Sequence, residues 1–79
     1  MLVEIKNWKS NKVIFSYDCK YNTIKKTVEE AVKRGVKLRY ANLSGADLSG
    51  ANLYRANLNN ANLINADLSF VDIIDEVDY

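Results

Sequence analysis

From residue 41 to residue 68 the chain repeats Ala, then Asn or Asp, then Leu, every five residues. The units are Ala41-Asn42-Leu43, Ala46-Asp47-Leu48, Ala51-Asn52-Leu53, Ala56-Asn57-Leu58, Ala61-Asn62-Leu63 and Ala66-Asp67-Leu68. Neither simple secondary structure fits this spacing. On an α-helix five residues carry a side chain roughly 140° past a full turn, which smears the Leu around the cylinder. In a straight strand, residues five apart point to opposite faces. A chain that turns a corner once per repeat does fit. Ala and Leu then share one side of a short extended segment, and the Asn or Asp between them faces the other. Pairs such as Ser44-Gly45 and Ser49-Gly50 supply the turns. Turning the same way each time gathers Ala and Leu along one axis, as in a solenoid.

Six consecutive units, with Val71-Asp72-Ile73 as a looser seventh and Val36-Lys37-Leu38 as a lead-in, resemble the pentapeptide-repeat proteins. The resemblance implies a mainly β fold: a right-handed, four-sided β-helix with one repeat per side and four per coil. Residues twenty apart would then stack, Leu43 under Leu63, Leu48 under Leu68 and Leu53 under Ile73, with Leu58 also in the repeat core. The register holds about two coils, and the body is only about 10 Å tall at the spacing of adjacent strands.

A different unit precedes the repeats. Residues 2–8 and 13–18 are apolar-rich runs joined by Lys9-Ser10-Asn11-Lys12, which predicts a β-hairpin. Val3 and Ile5 are expected on one face, as are Val13, Phe15 and Tyr17. Over residues 23–34 the period becomes helical: Ile24, Thr27, Val28, Ala31 and Val32 form a stripe, and Lys25, Lys26, Glu29, Glu30, Lys33 and Arg34 cover the solvent side. Asn22 or Thr23 can cap the start, and Gly35 suits a left-handed stop. Glu29 with Lys33 and Glu30 with Arg34 are spaced as surface pairs. A solenoid exposes the backbone edge and core of its first coil unless something covers them. Residues 1–35 are therefore read as an N-terminal cap and residues 36–79 as the β-helix, one continuous folded unit.

With 79 residues the chain is one small domain. No apolar run is long enough to span a bilayer, and MLVEIKNWK lacks the apolar core of a signal peptide, so a cytoplasmic protein is expected. The single cysteine, Cys19, allows no internal disulfide and reads as a packing residue, and there is no histidine. With Ala and Leu filling the inside and carboxylates outside, no catalytic centre, cofactor or metal site is expected. Asn42, Asn52, Asn57 and Asn62 read as repeat formers that satisfy turning backbone locally. Charge divides along the chain: residues 1–40 carry a net +6 and residues 41–79 a net −5. Lysines on a hairpin tip or a helix surface are ordinary, so direct nucleic-acid binding through Lys9, Lys12 and Lys20, with Trp8, Tyr17 and Tyr21 as stacking surfaces, is the lesser reading of the basic half.

The outward positions after each Leu become apolar toward the C-terminus, at Ile64, Phe70 and Ile74. An open last coil with apolar side chains around it is expected to find a partner, first of all a second copy meeting it about a twofold axis. Resemblance supports the homodimer, since family members often pair through their C-terminal coils. The expected contact residues are Tyr54, Ile64, Phe70, Ile74 and Tyr79, within an acidic surround of Asp47, Asp67, Asp72 and Asp75. Hairpin, helix and immediate entry into the repeats are also similar to small pentapeptide-repeat proteins of bacteriophages and prophages. That likeness implies a non-catalytic inhibitor aimed at a bacterial nucleic-acid-handling or defence enzyme, such as a CRISPR effector. Some family members inhibit DNA gyrase by resembling duplex DNA, and the acidic strip makes this the alternative.

Overall fold

The structure, a computed structural model, describes residues 1–72. Strands β1 (Leu2–Lys6) and β2 (Val13–Asp18) form an antiparallel hairpin. Val3 pairs with Tyr17 and Ile5 with Phe15, but Lys6 pairs with Val13, which leaves Ile14 as the extra residue of a β-bulge. Val13 accordingly leaves the face it was expected to share with Phe15 and is exposed, while Ile5 is buried and Ile14 and Phe15 pack against the core. The first strand stops at Lys6 rather than Trp8, because the chain beyond it changes partner. Asn7 bridges Ala41, the Trp8 N–H donates to the Tyr40 carbonyl at 2.8 Å, and the Asn42 N–H donates to the Lys6 carbonyl at 2.7 Å. The hairpin is thus stitched to the first repeats.

Helix α1 (Ile24–Lys33) begins where the Thr23 hydroxyl accepts from the Lys26 N–H at 3.0 Å. It ends in a Schellman motif: Val36 N–H reaches the Ala31 carbonyl, Gly35 N–H reaches that of Val32, and Gly35 takes a φ of 75° that Gly adopts without strain. Thr27, Val28 and Ala31 form its buried stripe. At the junction of helix and hairpin, Asn22 is buried and fully paired. Its amide donates to the carbonyls of Met1 and Tyr17, and its oxygen accepts from the Thr23 N–H and the Thr27 hydroxyl.

In the repeats, Asn42 bridges Asn62, Asp47 bridges Asp67 and Asn52 bridges Asp72, all parallel. The chain therefore returns over itself every twenty residues. Between the layers, N–H groups of Leu38, Tyr40, Leu43, Gly45, Leu48 and Gly50 donate upward, and Asn62 and Asp67 donate down to Ala41 and Ala46. The corners share one design. The side-chain oxygen of each of Asn42, Asp47, Asn52, Asn57, Asn62 and Asp67 accepts from the backbone N–H two residues on. Every fifth residue is left-handed: Tyr40, Gly45, Gly50, Arg55, Asn60, Asn65 and Phe70 have φ between 59° and 71°. Five-residue spacing is thus a backbone requirement as well as a hydrophobic one.

Burial falls from the lower layer to the upper. Leu43, Leu48 and Leu53 are buried, Leu58 and Leu63 are half-buried, and Leu68 is 37% exposed; Ile73 lies outside the described residues. Two helix side chains placed on the solvent face by sequence instead meet the lower edge of the repeats. The Lys25 ammonium donates to the Ser49 carbonyl at 2.8 Å, and the Glu29 carboxylate accepts from the Asn52 N–H at 2.8 Å. Glu29 consequently serves the repeats rather than pairing with Lys33, whereas Glu30 and Arg34 do form the surface pair, at 2.8 Å.

Candidate protein-binding surface

Among the described residues the upper layer ends in an unpaired edge. Twenty residues above the N–H groups that link the layers lie those of Leu58, Asn60, Leu63, Asn65, Leu68 and Phe70, and none has a hydrogen-bond partner among the described residues. The carbonyls of Ala61 and Ala66, one layer above those of Ala41 and Ala46, are likewise unpaired. The repeats at 61–65 and 66–70 thus each offer two donors for one acceptor along this edge.

Large apolar side chains surround it. Phe70 is 92% exposed and Ile64 68%, both in the upper layer, and Tyr54 is 41% exposed in the lower one. The three do not form one lateral patch. Ile64 follows the ladder of Asn42 and Asn62, Phe70 that of Asp47 and Asp67, and Tyr54 that of Asn52 and Asp72. Ile74, Asp75 and Tyr79 lie outside the described residues. Phe70 carries backbone strain as well. Its φ of 59° belongs to the position filled by Gly45, Gly50, Asn60 and Asn65 in four repeats and by the bulky Tyr40 and Arg55 in two others, where a large side chain is strained. Exposure and strain together mean that Phe70 does little for the fold around it. Phe70→Asn is expected to raise the unfolding free energy of the single chain by about 1 kcal/mol, read as a higher urea midpoint in dilute solution. A lower midpoint would mean that the ring packs on the repeats.

The carboxylates form a ladder of their own. Asp47 lies under Asp67, and Asp72 lies over Asn52. The Ser49 hydroxyl and N–H hold the Asp47 carboxyl below its ordinary pKa, with the Lys25 ammonium adding to the effect, and the Ser69 hydroxyl and N–H do the same for Asp67 against the repulsion of Asp47. Two negative charges are therefore kept one above the other on the surface. Among the described residues no three His, Cys, Asp or Glu side chains gather as they would around a metal ion. No helix among them is long and apolar enough to cross a membrane.

The basic residues singled out by sequence are not brought together. Lys9 and Lys12 lie in the hairpin connection, whereas Lys20 follows the far end of β2, with its ammonium over the Tyr21 ring at 5.5 Å. Sequence reasoning missed a different grouping. Trp8 packs on Tyr40, ring centroids 6.0 Å apart, and the Trp8 indole N–H donates to the Asn60 carbonyl at 2.7 Å. An indole just past a strand, opposite the first repeat, was the available signal.

Comparison with protein families matches residues 34–73 to pentapeptide repeats, in eight copies. The chain belongs to the pentapeptide-repeat family. The matched span takes in the six regular units, the lead-in at Leu38 and the looser unit at Ile73, and it implies a β-helix-like fold. No curated protein and no solved structure matches the chain. Pentapeptide-repeat proteins often serve as protein-interaction modules.

Proposed function

We propose that this pentapeptide-repeat protein is a non-catalytic binding module that engages a protein through the upper edge of its repeats. One contrast carries the reading. Along the lower edge, Lys6, Trp8, Lys25 and Glu29 hydrogen-bond to the backbone of the repeats. Along the upper edge, six N–H groups and two carbonyls have no partner among the described residues, beside Leu68 and Phe70. An unpaired backbone edge is a template for another chain, and an exposed aromatic is a common interface anchor. On this reading residues 36–79 wind as a right-handed, four-sided β-helix of about two coils, and residues 1–35 are its cap. The bridges at twenty residues, four repeats of five, support that geometry.

A second copy is the first occupant. Two upper edges meeting about a twofold axis would bury Leu58, Leu63 and Leu68 of both chains. Each copy brings the same excess of donors, so the Leu rows and Phe70, rather than a continuous ladder, would carry that contact. The acidic ladder of Asp47 and Asp67, with Asp72 beside it, adds a charged surface suited to a basic groove. This supports the narrower proposal of a phage-encoded inhibitor acting in the bacterial cytoplasm on a nucleic-acid-handling or defence enzyme, a CRISPR effector among them. The same ladder favours duplex mimicry against gyrase as the second reading, although a body about 10 Å tall spans only about three base-pair steps.

The test is Ile64→Asp combined with Phe70→Asp. Both side chains are exposed, so the circular dichroism of the protein should not change. The expected result is a halved molar mass by light scattering and loss of the bacterial protein that the wild type retains from lysate. If mass and capture both persist, the interface lies elsewhere.

A further inference from the structure

We propose that the side of the molecule built around Trp8 and Tyr40 binds single-stranded nucleic acid, with one base stacked on the indole and phosphates held by Lys9, Lys37 and Arg39. Two cations approach the Tyr40 ring, the Lys9 ammonium at 5.8 Å and the Arg39 guanidinium at 5.9 Å from its centroid. Lys37 and Arg39 flank the buried Leu38 in the chain and are exposed, so both project from this side. None of the three cations forms an ion pair among the described residues. The segments that build this side, 7–12, 36–40 and 56–60, contain no Asp or Glu. The positive charge is therefore uncompensated where the aromatic rings are.

Next to the rings is a hollow of ≈ 380 Å³ lined by Trp8, Asn60, Ala61, Asn62, Leu63 and Ile64. Its size lies within the small-molecule range, and its composition suits a nucleobase. The indole, 47% exposed, supplies a stacking wall, Ala61 and Leu63 supply an apolar floor, and the amides of Asn60 and Asn62 can meet the polar edge of a base. Aromatic platforms beside backbone-tracking cations are how single strands are bound without a sequence code. A stacked duplex presents no free base face to Trp8, and an acidic peptide has none, so the single strand is the partner this side fits. The surface differs from the acidic ladder, and its hollow borders the upper edge through Asn60, Ala61, Leu63 and Ile64, whereas Trp8, Lys9, Lys37 and Arg39 stand outside the proposed protein contact.

The wild-type protein is titrated with a labelled oligothymidylate of about twelve nucleotides, with a duplex of equal length and with polyglutamate as comparators. Trp8 is the only tryptophan, so its fluorescence reports the stack directly. The expected result is quenching by the single strand and a logarithmic salt slope that flattens by about 2 in the variant Lys9→Gln with Lys37→Gln and Arg39→Gln. Trp8→Ala should weaken binding at least about fivefold. Because this change also removes the bond to Asn60, Trp8→Phe is included to keep a ring in place, and it should retain most of the affinity. Absence of oligothymidylate binding, binding without quenching, or tighter binding of polyglutamate or duplex would each overturn the proposal. Light scattering and lysate capture should be unaffected in the charge variant, which separates this outcome from failure of the protein-binding reading.

Discussion

Leu48→Ala is expected to remove about 2–5 kcal/mol of stability and to leave much of the protein unfolded. Leu48 is fully buried at the centre of the lower layer. Its neighbours are fixed by backbone bonds rather than by adaptable side chains: the Leu48 N–H donates to the Asp67 carbonyl, its own carbonyl accepts from the Ala51 N–H, and Asp67 returns a bond to Ala46. A scaffold held this way cannot collapse into the space the side chain vacates. The total available to a chain of this length is only about 4–12 kcal/mol. Leu68→Ala, one layer above and 37% exposed, should cost less than half as much. Urea unfolding of the two variants measures the difference, and equal losses would mean that Leu48 is not central to the packing. If two copies pair through their upper edges, the cost of Leu68→Ala should also grow with protein concentration, whereas that of Leu48→Ala should not.

The second large effect is expected from Asn22→Asp, which alters one atom's chemistry and almost no volume. Both amide hydrogens of Asn22 are used, toward the carbonyls of Met1 and Tyr17, and the site is buried. A carboxylate there would set a negative oxygen against two carbonyl oxygens, while the Thr23 and Thr27 donors already serve its other oxygen, a loss of at least about 3 kcal/mol. The sign of the pH dependence follows. Burial and the facing carbonyls raise the pKa of the introduced Asp in the folded state, so the folded form is favoured when the group is protonated. The deficit of the variant relative to wild type should therefore be smallest at acid pH and widen as pH rises through the ordinary carboxylate range. Chemical denaturation at several pH values tests this, and a constant deficit would exclude charge burial as its cause.

The repeats were readable because three requirements coincide at one spacing. Leu needs the axis, Asn or Asp needs the N–H two residues on, and the fifth residue needs a left-handed backbone, which Gly45, Gly50, Asn60 and Asn65 advertise. The ends of α1 were readable because capping is local chemistry, carried by Thr23 and Gly35. The bulge was not readable. One inserted residue at Ile14 leaves the hydrophobic pattern nearly unchanged and alters only where Val13 points. Nor could the helical period reveal that Lys25 and Glu29 meet Ser49 and Asn52, since these partners lie more than twenty residues along and belong to another element. For the candidate surface, the exposure of Ile64 and Phe70 follows from their positions after each Leu. Their separation onto different ladders depends on how many repeats complete a turn, which the five-residue period by itself leaves open. The Trp8 grouping joins a hairpin loop to two layers of the repeats, and no local pattern encodes it.

The twenty-residue bridges limit how such a chain can be lengthened. A duplication of twenty residues inserts one more storey and returns every later side chain to its own column, so the lower fastening to the hairpin and helix and the uppermost rim both survive. A duplication of five moves each later residue to a neighbouring column and one of ten to the opposite column, separating Trp8 from the carbonyl of Asn60 and splitting Asp47 from Asp67. Growth in this architecture is quantised, and only whole storeys preserve what the two ends do.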